Sequence, residues 1–203
     1  MYYRIAYLIL VPLFKVLFRY KIEGGNNIPK EGSFILASNH ASYLDPAMSA
    51  LAAAPREVNF MAKASLFRFP VFGTFLRMMN SFPVNRDIID RAAIVTTIRL
   101  LAEGKPVVMY PEGTRIKGGM LGEPLPGVAM LAVKTGAPIV PVGIIGTGDV
   151  LPEGAKFPRL RKLKARVGEP IRVESLVATE RKAKEAELTG KMMAEIGKLV
   201  AGD

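Results

Sequence analysis

The chain of 203 residues has no cysteine, no tryptophan and one histidine. Without cysteine there is no disulfide, no thiolate metal site and no cysteine nucleophile, although the compartment stays open. Only carboxylates then remain as metal ligands beside the lone imidazole, and no spaced carboxylate cluster occurs, so no metal is expected. The G-x-S-x-G elbow of serine hydrolases, the G-x-x-x-x-G-K-[ST] phosphate loop and the H-E-x-x-H of zincins are all missing. The glycines of GIIGTG (143–148) are not in dinucleotide-binding order, and no cofactor is expected. Nor does the greasy N-terminus MYYRIAYLILVPLFKVLFRYK supply the ~20 apolar residues of a spanning helix. Arg4, Lys15 and Arg19 interrupt it and leave only Ile5 to Phe14 uncharged.

What is present is both apolar and basic. Half the residues are hydrophobic, and 28 Lys and Arg against 18 Asp and Glu give a net charge of +10. That combination suits an anionic partner with an apolar layer, a phospholipid surface rather than nucleic acid. The run KFPRLRKLKARVG carries Arg159, Arg161, Lys162, Lys164 and Arg166 with one aromatic. It lacks the stacking aromatics of a nucleic-acid module, so no nucleic-acid partner is expected. On a helix, Arg4, Lys15 and Arg19 fall within an arc of roughly 60°. Residues 1–21 are therefore read as a membrane-associating helix and residues 22–203 as the main domain. Docking of that helix on its own domain is the other placement, and Pro12 offers a kink in either.

Further along, short apolar runs alternate with helical patterns. SFILAS, EVNFMAK, FPVNR, PVVMY and APIVPVGIIG read as strands. KLKARVGEPI alternates Lys162, Lys164 and Arg166 with Leu163, Ala165 and Val167, the pattern of an edge strand. Helices are expected in DPAMSALAAAP, in DRAAIVTTIRLLAEGK up to Gly104, in LPGVAMLAVKTG up to Gly136, and in TERKAKEAELTGKMMAEIGKLV. This alternation predicts an α/β fold with a mostly parallel central sheet flanked by helices. Sites in such folds lie in loops beyond the carboxyl ends of the strands. Ser65 to Phe82 crowds Phe, Leu, Val and Met around Arg68 and Arg77. It reads as an acyl-chain groove, a membrane-dipping hairpin or a buried hairpin.

Two of those strand-end loops carry chemistry. In SNHASYLDP the only histidine, His40, precedes Asp45 by five residues. One continuous helix would leave the two side chains about 140° apart, whereas a turn leading into a helix at Asp45 lets them meet. Asp45-Pro46 resembles an N-cap with proline at the first helical position, so one carboxylate oxygen could cap amides while the other accepts from the imidazole. Such a pair suits a general base, although a lone histidine taken by itself is more often structural than catalytic. In YPEGTR, Glu112, Gly113, Thr114 and Arg115 combine a flexible backbone with a guanidinium fit for phosphate. An ordinary loop with a Glu–Arg ion pair is the plainer reading.

HASYLD and PEGTR together resemble the glycerolipid acyltransferase superfamily, in particular the bacterial lysophosphatidic acid acyltransferases. FPVNR is similar to that family's second block, with Asn85 where aspartate is usual; PIVPVGIIGT is similar to the fourth, and VGEPI to the strand that follows. The blocks run in order over roughly residues 20–175. The resemblance implies acyl transfer from acyl-ACP or acyl-CoA to the 2-hydroxyl of lysophosphatidic acid, giving phosphatidic acid. His40 would be the general base and Asp45 its orienter. Arg86, Glu112, Gly113, Thr114 and Arg115 would bind the acceptor, with Lys63 near its phosphate. It also implies attachment to the cytoplasmic face of the inner membrane. Another lipid acceptor, hydrolysis of the thioester by water, and a lipid-binding module without chemistry are the competing readings.

Overall fold

The structure is a computed structural model that describes residues 2–86, 88–116, 121–173 and 181–202. Seven described strands form one sheet: Lys21–Glu23 (β1), Ile35–Ser38 (β2), Asn59–Lys63 (β3), Ser81–Val84 (β4), Val107–Met109 (β5), Ile139–Ile145 (β6) and Lys164–Val167 (β7). Their order is β1-β7-β6-β2-β5-β3-β4. Neighbours pair parallel except β6 with β7, so five strands run one way and the β1–β7 pair the other. The central strands β2 and β6 are almost wholly buried, as their Ile, Leu and Val runs require between two helical layers.

Two cores result, one on each face. On the first, Tyr2–Phe18 (α1) and Asp45–Ala53 (α2) pack Tyr3, Phe14, Phe18 and Met48 over Phe34, Leu36 and Val142. Met79, directly after Pro70–Met78 (α3), joins this face. On the second, Arg91–Ala102 (α4), Gly127–Thr135 (α5) and Arg181–Ala201 (α7) bring Leu100, Leu131, Leu188, Met192 and Ile196 over Ile35, Val107 and Ile139. A four-residue helix, Thr147–Val150 (α6), follows β6. The helix ends obey local chemistry. The Asp90 side chain accepts from Ala93 N at 3.0 Å to cap α4, and Gly136 ends α5 at φ 71°, a conformation that costs glycine nothing.

Three expectations change. The KLKARV strand is not an edge: β1 lies beyond it, in register Lys21 with Lys164. The alternation itself holds, with Leu163, Ala165 and Val167 buried. A three-residue edge strand is too short to leave a periodic signal. Second, Arg19 lies beyond the end of α1 rather than on its charged arc. The helix turns Tyr3, Phe14 and Phe18 inward and leaves Leu8, Ile9 and Val16 exposed. Third, Ser65–Phe82 is no buried hairpin: Phe69, Val71, Phe72 and Phe75 are exposed, and within α3 only Gly73 is buried. The C-terminal helical stretch is seen from Arg181; Thr179 and Glu180 lie outside the described residues.

Helix α7 crosses β6 at Gly143, where an added Cβ would stand 2.7 Å from the Leu199 carbonyl carbon and 2.8 Å from Val200 N. Both are backbone atoms and cannot rotate away. Gly143→Ala should therefore lower unfolding free energy by about 1–3 kcal/mol in urea titrations; an unchanged midpoint would contradict this packing.

Candidate active site

Strand β2 is buried throughout and runs straight into Asn39 and His40. The Asn39 amide donates to Ile144 O (2.8 Å) while its oxygen accepts from Ile144 N (2.7 Å), clamping the end of β2 to β6. The chain then turns so that the His40 and Asp45 side chains meet, with Nδ1 of His40 2.8 Å from Oδ2 of Asp45. Backbone amides of Ala41 and Ser42 donate to the same Oδ2, each at 2.7 Å. This departs from the expected division of labour between the two oxygens. Asp45 is already the first residue of α2, and no side chain caps that helix. Its carboxylate instead looks back into the turn, and Oδ1 is buried with no hydrogen bond among the described residues. Because a carboxylate can only accept, Nδ1 carries the proton and Nε2 presents its lone pair.

The imidazole is also held from its face. Tyr110 stacks on it with centroids 4.1 Å apart and planes 16° from parallel, and the Tyr110 hydroxyl lies 3.2 Å from Ser49 Oγ. Ser49 is one turn beyond Asp45 on α2, so one helix steadies the ring both directly and through Tyr110. No role is assigned to either residue in the sequence reading. The i to i+4 spacing of Asp45 and Ser49 is a signal that could have found Ser49, whereas Tyr110 has none. Burial, and after it the charge of Asp45, holds the Tyr110 phenol well above its ordinary range.

The second loop is sewn to the first by a backbone bond, Ile116 N donating to His40 O at 2.8 Å. Glu112 is buried at 6% exposure, and neither carboxylate oxygen has hydrogen-bond geometry to a described group. Burial is the main cause raising its pKa and the charge of Asp45 adds to it, while the nearby amides of Gly122 and His40 oppose. No Glu112–Arg115 ion pair forms among the described residues. Arg115 instead lies over the Tyr43 ring, 3.7 Å from its centroid. Gly113 turns at φ 67° with Leu125 against it, and Thr114 is exposed.

Arg86, just past β4, belongs to the same cluster. Desolvation and then the Arg115 charge lower its pKa, and neither guanidinium forms an ion pair among the described residues. Asp90 positions the Arg86 loop by accepting from Asn85 N at 2.8 Å. Beside Arg86 and Tyr110 a mostly apolar cavity of about 430 Å³ opens, lined by Val84, Ile94, Val108, Met130 and Leu131 among others. The structure thus brings His40, Asp45, Glu112, Arg86 and Arg115 to one end of the sheet. Lys63 ends β3 at the same end, exposed.

The mostly parallel α/β sheet thus carries a His–Asp pair at the end of β2 and the PEGTR loop after β5. The acyltransferase family profile matches residues 19–145, and the chain belongs to that family. It is 29% identical over 180 residues to the 1-acyl-sn-glycerol-3-phosphate acyltransferase of Bacillus subtilis, covering 88% of this chain and 87% of that one. A chloroplastic 1-acyl-sn-glycerol-3-phosphate acyltransferase of Arabidopsis thaliana is 33% identical over 72% of this chain, which spans only 40% of that longer protein. Among solved structures, the 1-acyl-sn-glycerophosphate acyltransferase of Thermotoga maritima superposes with a TM-score of 0.66 at 29% identity, over 86% of this chain and 71% of that one.

The buried Glu112 has a consequence for pH. Well below its ordinary value of 4.5 the carboxyl is protonated folded or unfolded and affects stability equally. As pH rises, the unfolded chain releases the proton first, so the fold loses stability until the folded group also ionises. Glu112→Gln should flatten this fall in urea midpoint as pH rises above the ordinary carboxyl range; an unchanged slope would contradict the assignment.

Proposed function

We propose that the chain transfers a fatty acyl group from an acyl thioester, acyl-ACP or acyl-CoA, to the 2-hydroxyl of lysophosphatidic acid, forming phosphatidic acid. The observation that carries this reading is the buried His40–Asp45 pair standing beside the Arg86–Arg115 cation pair. A base with an oriented lone pair suits a hydroxyl nucleophile, and two guanidiniums without an ion-pair partner among the described residues suit a phosphate monoester. The names of the bacterial relatives support the same acceptor.

In this mechanism Nε2 of His40 takes the proton of the acceptor hydroxyl as its oxygen attacks the thioester carbonyl carbon. The tetrahedral intermediate collapses by breaking the carbon–sulfur bond, and the imidazolium returns the proton to the departing sulfur. Asp45 stays ionised and stabilises the imidazolium between these steps. The Tyr110 ring face adds attraction for that cation. Arg86 and Arg115 hold the acceptor phosphate, with Glu112, Gly113, Thr114 and Lys63 around the glycerol. The cavity beside them has the size and apolar lining for an acyl chain.

The reaction is read as occurring at a phospholipid surface. Among the described residues no helix is long and apolar enough to cross a membrane. The outer face of α1, with Leu8 72%, Ile9 61% and Val16 78% exposed, supports contact with one leaflet. A net charge of +10 favours the anionic cytoplasmic leaflet.

Purified protein given a labelled acyl thioester should make phosphatidic acid only when lysophosphatidic acid is present. His40→Ala should lower turnover by about 10²- to 10⁴-fold, the usual worth of a general base. Near-normal turnover of a folded His40→Ala variant, or release of free fatty acid regardless of acceptor, would refute the proposal.

A further inference from the structure

The connection from α6 to β7 is a second exposed surface of mixed character. Phe157 is 81% exposed and Leu160 70% exposed, although both are large and apolar. Lys156, Arg159, Arg161 and Lys162 alternate with them, all exposed, and none forms an ion pair among the described residues. Residues 156–162 contain no acid; Asp149 and Glu153 precede them. A solvated loop has no reason to present a phenyl and an isobutyl group among four cations that have no ion-pair partner among the described residues. The arrangement matches an anionic interface, with apolar tips in the acyl boundary and cations at headgroup depth.

The loop is also fastened to the catalytic end of the molecule. Arg159 N donates to Val150 O at 2.7 Å, and Leu151 O accepts from the hydroxyl of Ser42, in the turn between His40 and Asp45. At its far end Leu163 N donates to Phe18 O, and Lys21 N to Leu163 O, so the loop returns beside the C-terminus of α1. There the exposed Val16 and the cations Lys15 and Arg19 continue the same alternation of apolar and basic groups.

We propose that residues 156–162 form a membrane-contact loop, which inserts Phe157 and Leu160 into an anionic phospholipid leaflet and so seats the His40 end of the sheet on the lipid surface. It deepens the reading of the chain as a lipid-surface acyltransferase. An acidic carrier protein could use the cations but would leave the apolar tips and the adjoining α1 face uncovered. The continuity of both elements therefore favours a bilayer.

Because the chain has no tryptophan, Phe157→Trp introduces a single reporter. On vesicles of phosphatidylcholine mixed with phosphatidylglycerol its emission should shift to the blue and be quenched by bromine carried on the lipid chains. Each Lys or Arg at an anionic surface contributes about fivefold in partitioning. Arg159→Gln/Arg161→Gln/Lys162→Gln should therefore bind these vesicles at least about tenfold more weakly. Its turnover on detergent-dispersed acceptor should match the parent. An unshifted, unquenched indole on vesicle-bound protein would overturn the proposal, as would equal partitioning of the triple variant. A shift produced by acyl-carrier protein alone and not by vesicles would overturn it in favour of protein docking. Insertion without any acyl transfer would leave the loop assignment standing and sink the enzymatic reading instead.

Discussion

One oxygen atom organises the site. Oδ2 of Asp45 accepts from the imidazole of His40 and from the amides of Ala41 and Ser42. It therefore defines the turn and the ring orientation together. Hydrogen bonds to an ionised acceptor contribute roughly 1.5–3 kcal/mol each, and they must offset the burial of a carboxylate whose other oxygen has no described partner. Changing the spacing between His40 and Asp45 would break all three at once. The five-residue interval is the length that lets a strand end, a turn and a helix start share one acceptor.

Everything else at the rim is tied to that turn. Asn39 fastens it to β6, Ile116 N fastens the PEGTR loop to the His40 carbonyl, and Ser42 reaches the β6–β7 connection through Leu151. Asp90 caps α4 and, with its other oxygen, steadies the segment leading to Arg86. The parallel sheet makes this economical, because β2, β3, β4, β5 and β6 all end on the same side. Groups scattered between positions 39 and 151 in sequence thereby face one small volume. That volume holds a directed lone pair, two guanidiniums without a counter-ion among the described residues and a buried carboxyl whose pKa is raised by desolvation.

Much of this is legible from sequence, and the exceptions have physical causes. The alternation of apolar runs and amphipathic helices gives the α/β class, and Gly104 and Gly136 mark helix ends because glycine alone turns left-handed at no steric cost. HASYLD and PEGTR locate the site because both follow buried strands. The sequence misleads where a feature depends on non-local pairing. Nothing in KIE announces a strand able to cover β7, and nothing in Asp45-Pro46 says that the carboxylate will serve the turn behind it rather than the helix ahead. The stack of Tyr110 under His40 joins residues 70 apart and has no local signature. Burial is likewise non-local: α1 and α3 each carry a broad apolar surface interrupted by a few cations, yet only the fold decides which apolar face is covered and which remains for another surface.

The single histidine makes the central geometry accessible to one spectrum. In protein labelled with ¹⁵N in its imidazole, at a pH where the ring is neutral, nitrogen chemical shifts should report one tautomer. Nδ1 should be protonated and Nε2 free, as donation to Asp45 requires. Asp45→Ala should turn that fixed state into an averaged mixture. A ring protonated at Nε2, or one already averaging in the parent protein, would contradict the account, because Nε2 would then have no lone pair held ready for a hydroxyl proton.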